Sequence, residues 1–160
     1  MSWVLDVASE KDIDELMTWF PDAHSTDIWG GPAFRYPFDR ESFREDCRWL
    51  EFSSYSLRNP EGEFVAFGQL GSRFERSHLA RLITHPDMRG QGVGRKLLEK
   101  MIAAAQSETE LKEVALFVYK DNEPACRCYL ALGFEIQDYP DAAPLRDECY
   151  YMTRLTAAAR

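Results

Sequence analysis

Apolar and polar positions along the chain follow two periods. Residues 2–8, 53–57, 63–70, 77–84, 113–119, 134–138 and 147–155 are short runs rich in β-branched and aromatic residues, and they predict strands. Between them apolar residues recur at spacings of three and four. Ile13, Leu16, Met17 and Phe20 predict the inward stripe of a first helix, opened by Ser9 and Asp12 in a capping-box-like pair. Phe43, Cys47 and Leu50 predict an inward face for a helix over 40–52. Val93, Leu97, Leu98, Met101, Ile102 and Ala105 do the same for a helix starting near 93. Ala125, Cys128, Tyr129 and Leu132 mark a last helix, with Asn122 as N-cap, Pro124 in the first turn and Gly133 as the stop. The stretch 21–39, crowded with Gly, Pro and aromatic residues, predicts irregular chain. Asn59-Pro60-Glu61-Gly62 predicts a hairpin turn, and a second turn falls near 72–76. The strand–helix–strand unit over 77–119 predicts a parallel, right-handed crossover, whereas the earlier strands are joined by hairpins. The pattern therefore predicts an α/β fold (α+β mixed): a central mixed sheet of six or seven strands flanked by about four helices, in one domain over 1–160.

The densest local signal lies where the strand ending at Thr84 meets the helix near 93. After Pro86 come Arg89-Gly90-Gln91-Gly92-Val93-Gly94-Arg95, three alternating glycines with an arginine on either side. Glycine lets the chain bend sharply and approach a ligand closely. The free N–H groups of the first helical turn, with the positive end of the helix dipole behind them, suit a phosphate or diphosphate. Two common phosphate loops do not fit. The Walker pattern needs Gly-Lys-Ser/Thr where this chain has Arg95-Lys96-Leu97, and the dinucleotide pattern needs a third glycine where Arg95 or Leu97 stands.

The pattern Arg89-x-x-Gly92-x-Gly94 resembles the acyl-CoA loop of the GCN5-related N-acetyltransferase (GNAT) superfamily, and Thr84-His85-Pro86-Asp87 is similar to the strand end that precedes it there. Asn122, Tyr129 and Leu132-Gly133-Phe134 resemble that family's second signature. The resemblance spans nearly the whole chain and is tightest over 82–134. It implies that acetyl-CoA lays its diphosphate on the amides of Gly90, Gln91, Gly92, Val93, Gly94 and Arg95, beside Arg89. It implies that the pantetheine arm pairs with the main chain of Leu82, Ile83 and Thr84, and that Asn122 touches the cofactor. It also implies that an amine attacks the thioester directly while the Tyr129 hydroxyl protonates the leaving sulfur. Some members use a glutamate on the strand before the Asn as base, and this chain has Phe117 at that place. Glu75, His78, His85 or a water chain are the alternatives. The acceptor side falls in the variable segment around Trp29, Phe34 and Tyr36. The substrate is then a small-molecule or peptide amine. The alternative is an acyl-CoA-binding or regulatory module without turnover.

Composition narrows the partners. With 160 residues and a 45% hydrophobic share, the chain can bury a core of its own. A net charge of −8 disfavours nucleic acid and anionic membranes, and favours approach of a cationic amine. No apolar run reaches membrane-span length, and the first residues lack a signal-peptide pattern, so a cytoplasmic location is expected. Cys47, Cys126, Cys128 and Cys149 are too scattered for a disulfide framework, and His24, His78 and His85 have no ligand spacing, so no metal is expected. A homodimer stays open.

Overall fold

The computed structural model describes residues 2–156; Met1 and 157–160, the ends of the single-domain reading, lie outside the described residues. Strand β1 (Val4–Val7) leads to helix α1 (Glu10–Met17), which opens on a reciprocal cap: Ser9 Oγ accepts the Asp12 N–H, and Asp12 accepts the Ser9 N–H. Ile13, Leu16 and Phe20 are buried as the periodicity requires. The segment read as irregular contains helix α2 (Ala23–Gly30), which brings the α-helices among the described residues to five where about four were expected. Asp22 caps it by accepting the Ser25 N–H at 2.8 Å.

Helix α3 (Arg40–Asp46) is half as long as the apolar spacing suggests. Its chain turns at Arg48, which adopts φ 53, and Leu50 is left 99% exposed instead of inward. Strands β2 (Ser53–Arg58) and β3 (Phe64–Arg73) form the expected hairpin. Strand β4 (Arg76–Thr84) pairs back on β3 through a turn narrower than 72–76, because Phe74 and Glu75 both take positive φ (53 and 60), as a two-residue primed turn demands. Helix α4 (Val93–Glu108), β5 (Glu113–Tyr119), α5 (Glu123–Ala131), β6 (Glu135–Gln137) and β7 (Cys149–Leu155) complete the chain.

The seven strands lie in the order β1-β2-β3-β4-β5-β7-β6. Every neighbouring pair is antiparallel except β4 and β5, which the α4 crossover joins in parallel. One face of the sheet packs on Val93, Leu97, Leu98, Met101, Ile102 and Ala105 of α4, all buried. On the other, Ile13 and Leu16 of α1, Phe43 of α3, and Phe20 and Phe34 from the connections between α1 and α3 close over Phe64 and Phe67.

Asp12 ties α1 to the sheet, accepting from the buried Ser56 hydroxyl (2.9 Å) and from the Arg58 guanidinium (2.6 Å). Burial alone would raise its pKa, but the Ser9 N–H, Ser56 and Arg58 together bring it below 3.8. Asp12→Ala leaves those donors without an acceptor, and a loss of about 2–3 kcal/mol is expected, or roughly 4–12 °C in Tm. Because the folded pKa is depressed, this stabilisation is present above the unfolded value and is lost as pH falls through the folded one. Thermal melts of both proteins should therefore converge on acidification below 3.8, and a gap that persists there contradicts the assignment.

Candidate functional site

Two strands that pair only briefly create the site. β4 and β5 are bonded through Ser77↔Val114 and His78↔Ala115, and then part. From Leu79 to Thr84 β4 keeps β3 on one side, while its other edge has no strand partner among the described residues. Among the described residues β5 beyond Ala115 is held by β7 alone. The register against β3 slips between Ala80 and Ile83, and Arg81 takes φ 50 there, so a bulge re-aims the main chain just before Leu82. The Leu82 side chain joins the α4 core and that of Ile83 joins the α1–α3 core. What Leu82, Ile83 and Thr84 present to the open wedge is therefore backbone N–H and C=O, the groups an extended ligand can pair with.

The glycine loop closes the wide end of this wedge. His85 donates its N–H to Val65 O (2.8 Å), and a 3-10 turn over Pro86–Met88 leads to Arg89. Gly90 and Gly92 both sit at φ 80, a conformation that side chains resist. A Cβ built on either would meet no atom within 4 Å, so both face open space. One on Gly94 would touch Thr84 Oγ1 at 3.4 Å, so this glycine lets the helix begin tight against β4. The N-cap of α4 is Gly92, and no side chain caps it. The other four helices are each capped by a side chain, from Ser9, Asp22, Asp39 and Asn122. The first-turn amides of α4 thus point outward unsatisfied, with the helix dipole behind them. Arg89, Gln91 and Arg95 are exposed around this mouth; Arg95 and Lys96 lean 3.8 and 3.6 Å from Glu99, while Val93 turns its side chain into the core.

Helix α5 flanks the wedge from the β5 side. Asn122 Oδ1 accepts the Ala125 N–H at 3.4 Å, so its cap role is structural, and its amide nitrogen makes no hydrogen bond among the described residues. Tyr129 is partly buried with its ring 5.9 Å from that of Phe134, and its hydroxyl makes no hydrogen bond among the described residues. Burial pushes the phenol well above its ordinary 10. Phe117 occupies β5 at the place of the expected carboxylate. Its ring lies 5.4 Å from His78, 5.2 Å from Tyr139 and 5.0 Å from Tyr151.

Among the candidate bases, Glu75 sits in the exposed β3–β4 turn, and His85 Nδ1 already accepts the Asp87 N–H (3.0 Å). His78 stands at the apex where β4 and β5 part. It is buried with Nδ1 unpartnered, and burial, followed by the charges of Arg73 and Arg81, pushes its pKa down to about 4. The acceptor-side candidates scatter. Trp29 donates Nε1–H to Arg81 O (2.8 Å), Phe34 is 8% exposed among Trp29, Phe38 and Phe43, and Tyr36 is 39% exposed with its hydroxyl on Pro21 O (3.0 Å). Sequence reasoning passed over Arg81 and Tyr139. The available signal for Arg81 was a charged residue inside the otherwise apolar run Leu79–Thr84.

The Acetyltransferase (GNAT) family model matches residues 13–134. The L-amino acid N-acetyltransferase AaaT of Escherichia coli is 33% identical over 89 residues, covering 52% of this chain and 55% of that protein. The chain thus spans about half the length of the curated relatives it matches. Spermidine N-acetyltransferase from Vibrio cholerae, solved in complex with CoA and spermine, superposes with a TM-score of 0.75 at 14% identity over 97% of this chain and 96% of that one. The ribosomal-protein-S18-alanine N-acetyltransferase of Escherichia coli gives 0.66 at 20% identity over 99% and 96%. At these identities the structural likeness is one of fold.

Proposed function

The chain belongs to the GNAT acetyltransferase family, and from that premise we propose that it transfers an acetyl group from acetyl-CoA to a primary amine by direct attack on the thioester. The observation that carries this reading is the coincidence of an uncapped helix N-terminus with an unpaired strand edge at one wedge. The amides of 90–95 and Arg89 would hold the diphosphate. The free edge of Leu82, Ile83 and Thr84 would hold the pantetheine arm, and Asn122 would offer its free amide nitrogen. Bound there, acetyl-CoA supplies an acetyl group activated as a thioester. The N–H groups beside the Arg81 bulge are the donors for oxygen charge that develops on attack. The nitrogen–carbon bond forms, the carbon–sulfur bond breaks, and Tyr129 offers its O–H to the departing sulfur. Burial pushes the His78 pKa down, which makes it a poor base for an alkylammonium and favours a route for the amine's proton through water. Trp29, Phe34 and Tyr36 mark the acceptor side; Trp29 braces the bulge through Arg81 O, and Phe34 supports Trp29.

Three named proteins like this one acetylate amino acids, spermidine and the alanine of ribosomal protein S18, so an amine is their shared acceptor chemistry. No helix among the described residues is long and apolar enough to cross a membrane. With four free cysteines, we place the protein in the cytoplasm. Phe117 in place of a carboxylate favours one competing reading, a module that binds acyl-CoA without turnover. Release of free CoA thiol from acetyl-CoA, measured across an amine panel, decides between them. Thiol release that depends on an amine is expected. Thermal stabilisation by acetyl-CoA with no release on any amine overturns the transferase reading.

A further inference from the structure

Arg81 stands in the wall of the wedge as a half-buried cation without an anion. Its Nε donates to Gln69 Oε1 and one Nη to Cys47 O (3.1 Å), both uncharged acceptors. Cys47 supplies no counter-charge, because burial pushes its thiol up to about 12. No carboxylate among the described residues comes within 4.0 Å of Arg81. Nearby Glu51 is paired with Arg48 (3.5 Å), and Asp46 with Arg35 (3.0 Å). Buried charges are ordinarily paired, and a guanidinium has five N–H donors in a fork that matches a carboxylate. The other Nη of Arg81 makes no hydrogen bond among the described residues, and it is not one of the atoms sealed from solvent without a partner.

The place of this guanidinium gives it a use. It lies over the Phe52 ring (5.1 Å), which edges against His78 (6.5 Å), which packs on Phe117 (5.4 Å). These groups line the α1–α3 side of the wedge from β4 to β5. A second cation, Arg73, lies 5.4 Å over Phe117 and has no ion pair among the described residues. Although the chain is acidic as a whole, this wall is locally cationic. Arg81 is also the residue that precedes Leu82, at the bulge where the reacting groups would meet.

We propose that Arg81 binds a carboxylate carried by the acceptor, so that the acetylated amine belongs to an amino acid or similar amino-carboxylic compound rather than to a polyamine. The inference rests on the transferase reading for its chemistry, but the anion site can be tested apart from turnover. Burial lowers the Arg81 pKa, the direction expected of a cation desolvated before its anion arrives.

The experiment uses the full chain with a panel of α-amino acids, each beside its carboxamide and its decarboxylated amine (L-leucine, L-leucinamide and isoamylamine, for example). CoA thiol release should favour the acid over both partners by roughly 10–100-fold in kcat/KM, the range of a charge-assisted hydrogen bond. In Arg81→Gln the ratio of the rate on the acid to the rate on its carboxamide should fall close to one, whatever the change in absolute rate; Arg81→Lys should restore part of that ratio. The comparison on the unmodified protein stands even if the variants fold poorly. Equal or better turnover of carboxamides, plain amines or spermine overturns the proposal and leaves the transferase reading intact. If no amine releases thiol, titration of the same acids and carboxamides into the CoA-saturated protein decides. Binding that needs the carboxylate and Arg81 upholds the anion site while the transferase reading falls, and binding indifferent to both ends it.

Discussion

Gly92→Val is expected to yield a folded protein that has lost coenzyme A. Gly92 is the N-cap of α4 at φ 80, and the space that its Cβ would enter is empty of protein atoms for 4 Å. Valine is penalised twice there. A β-branched residue at positive φ costs about 1–3 kcal/mol of strain, which lowers stability or shifts the loop. Its two methyls would also occupy the volume that an anion needs to reach the first-turn amides. Binding of CoA, followed by calorimetry, should weaken by at least ~100-fold, or about 2.7 kcal/mol. The two penalties separate with a control in the β2–β3 turn, where Gly62 has φ 86 and equally open surroundings but is not one of the loop residues 90–95. Gly62→Val carries comparable strain and should bind CoA as the unmodified protein does. If Gly92→Val binds CoA normally, the main-chain amides at 90–95 are not the grip.

The part of the chain that serves this loop was legible because backbone requirements leave marks on sequence. Alternating glycines, a Pro after a strand and a helical stripe beginning at Val93 leave few local alternatives, and all six residues of that stripe are buried. Asn122 with Pro124 fixed the start of α5 for the same reason. Elsewhere the determinants are tertiary. In helix α2 the polar residues His24–Asp27 stand together and Ile28 and Trp29 follow side by side, so it has no stripe to read; Asp22 and the closing Gly30-Gly31 were its marks. Leu50 fits a helical period, but α3 ends earlier because Arg48 takes a left-handed turn that no glycine announces. Arg81 went unnoticed because periodicity ranks a residue by its neighbours in sequence. Its significance lies in lacking a counter-ion, which only the packed structure reveals. The splay of β4 from β5 is likewise invisible in either strand alone, since pairing to His78 and no further is a property of the sheet.

Tyr129→Phe is expected to lower kcat about 10–100-fold while leaving CoA affinity within about twofold, at or below the low end of general-acid effects. The modest size follows from the leaving group. A thiol has a pKa near 8.5, so its thiolate departs with limited help, and the phenol contributes a hydrogen bond that strengthens as charge builds on sulfur. Burial holds the phenol well above 10, so it is protonated throughout the working range. The sign for pH follows. An acid must carry its proton to act, and raising its pKa moves the descending limb of the rate profile upward, so kcat should show no fall below pH 10 that the Phe variant abolishes. The phenyl ring keeps the packing of Tyr129 against Phe134, which makes a structural collapse an unsuitable explanation for lost rate. Thiol release at saturating acetyl-CoA, beside a CoA titration, reads both quantities. An unchanged kcat would take Tyr129 out of the chemistry, and a lost affinity with normal kcat would move it to the binding surface. The uncapped helix and the unpaired strand edge would then carry the acyl-CoA reading without it.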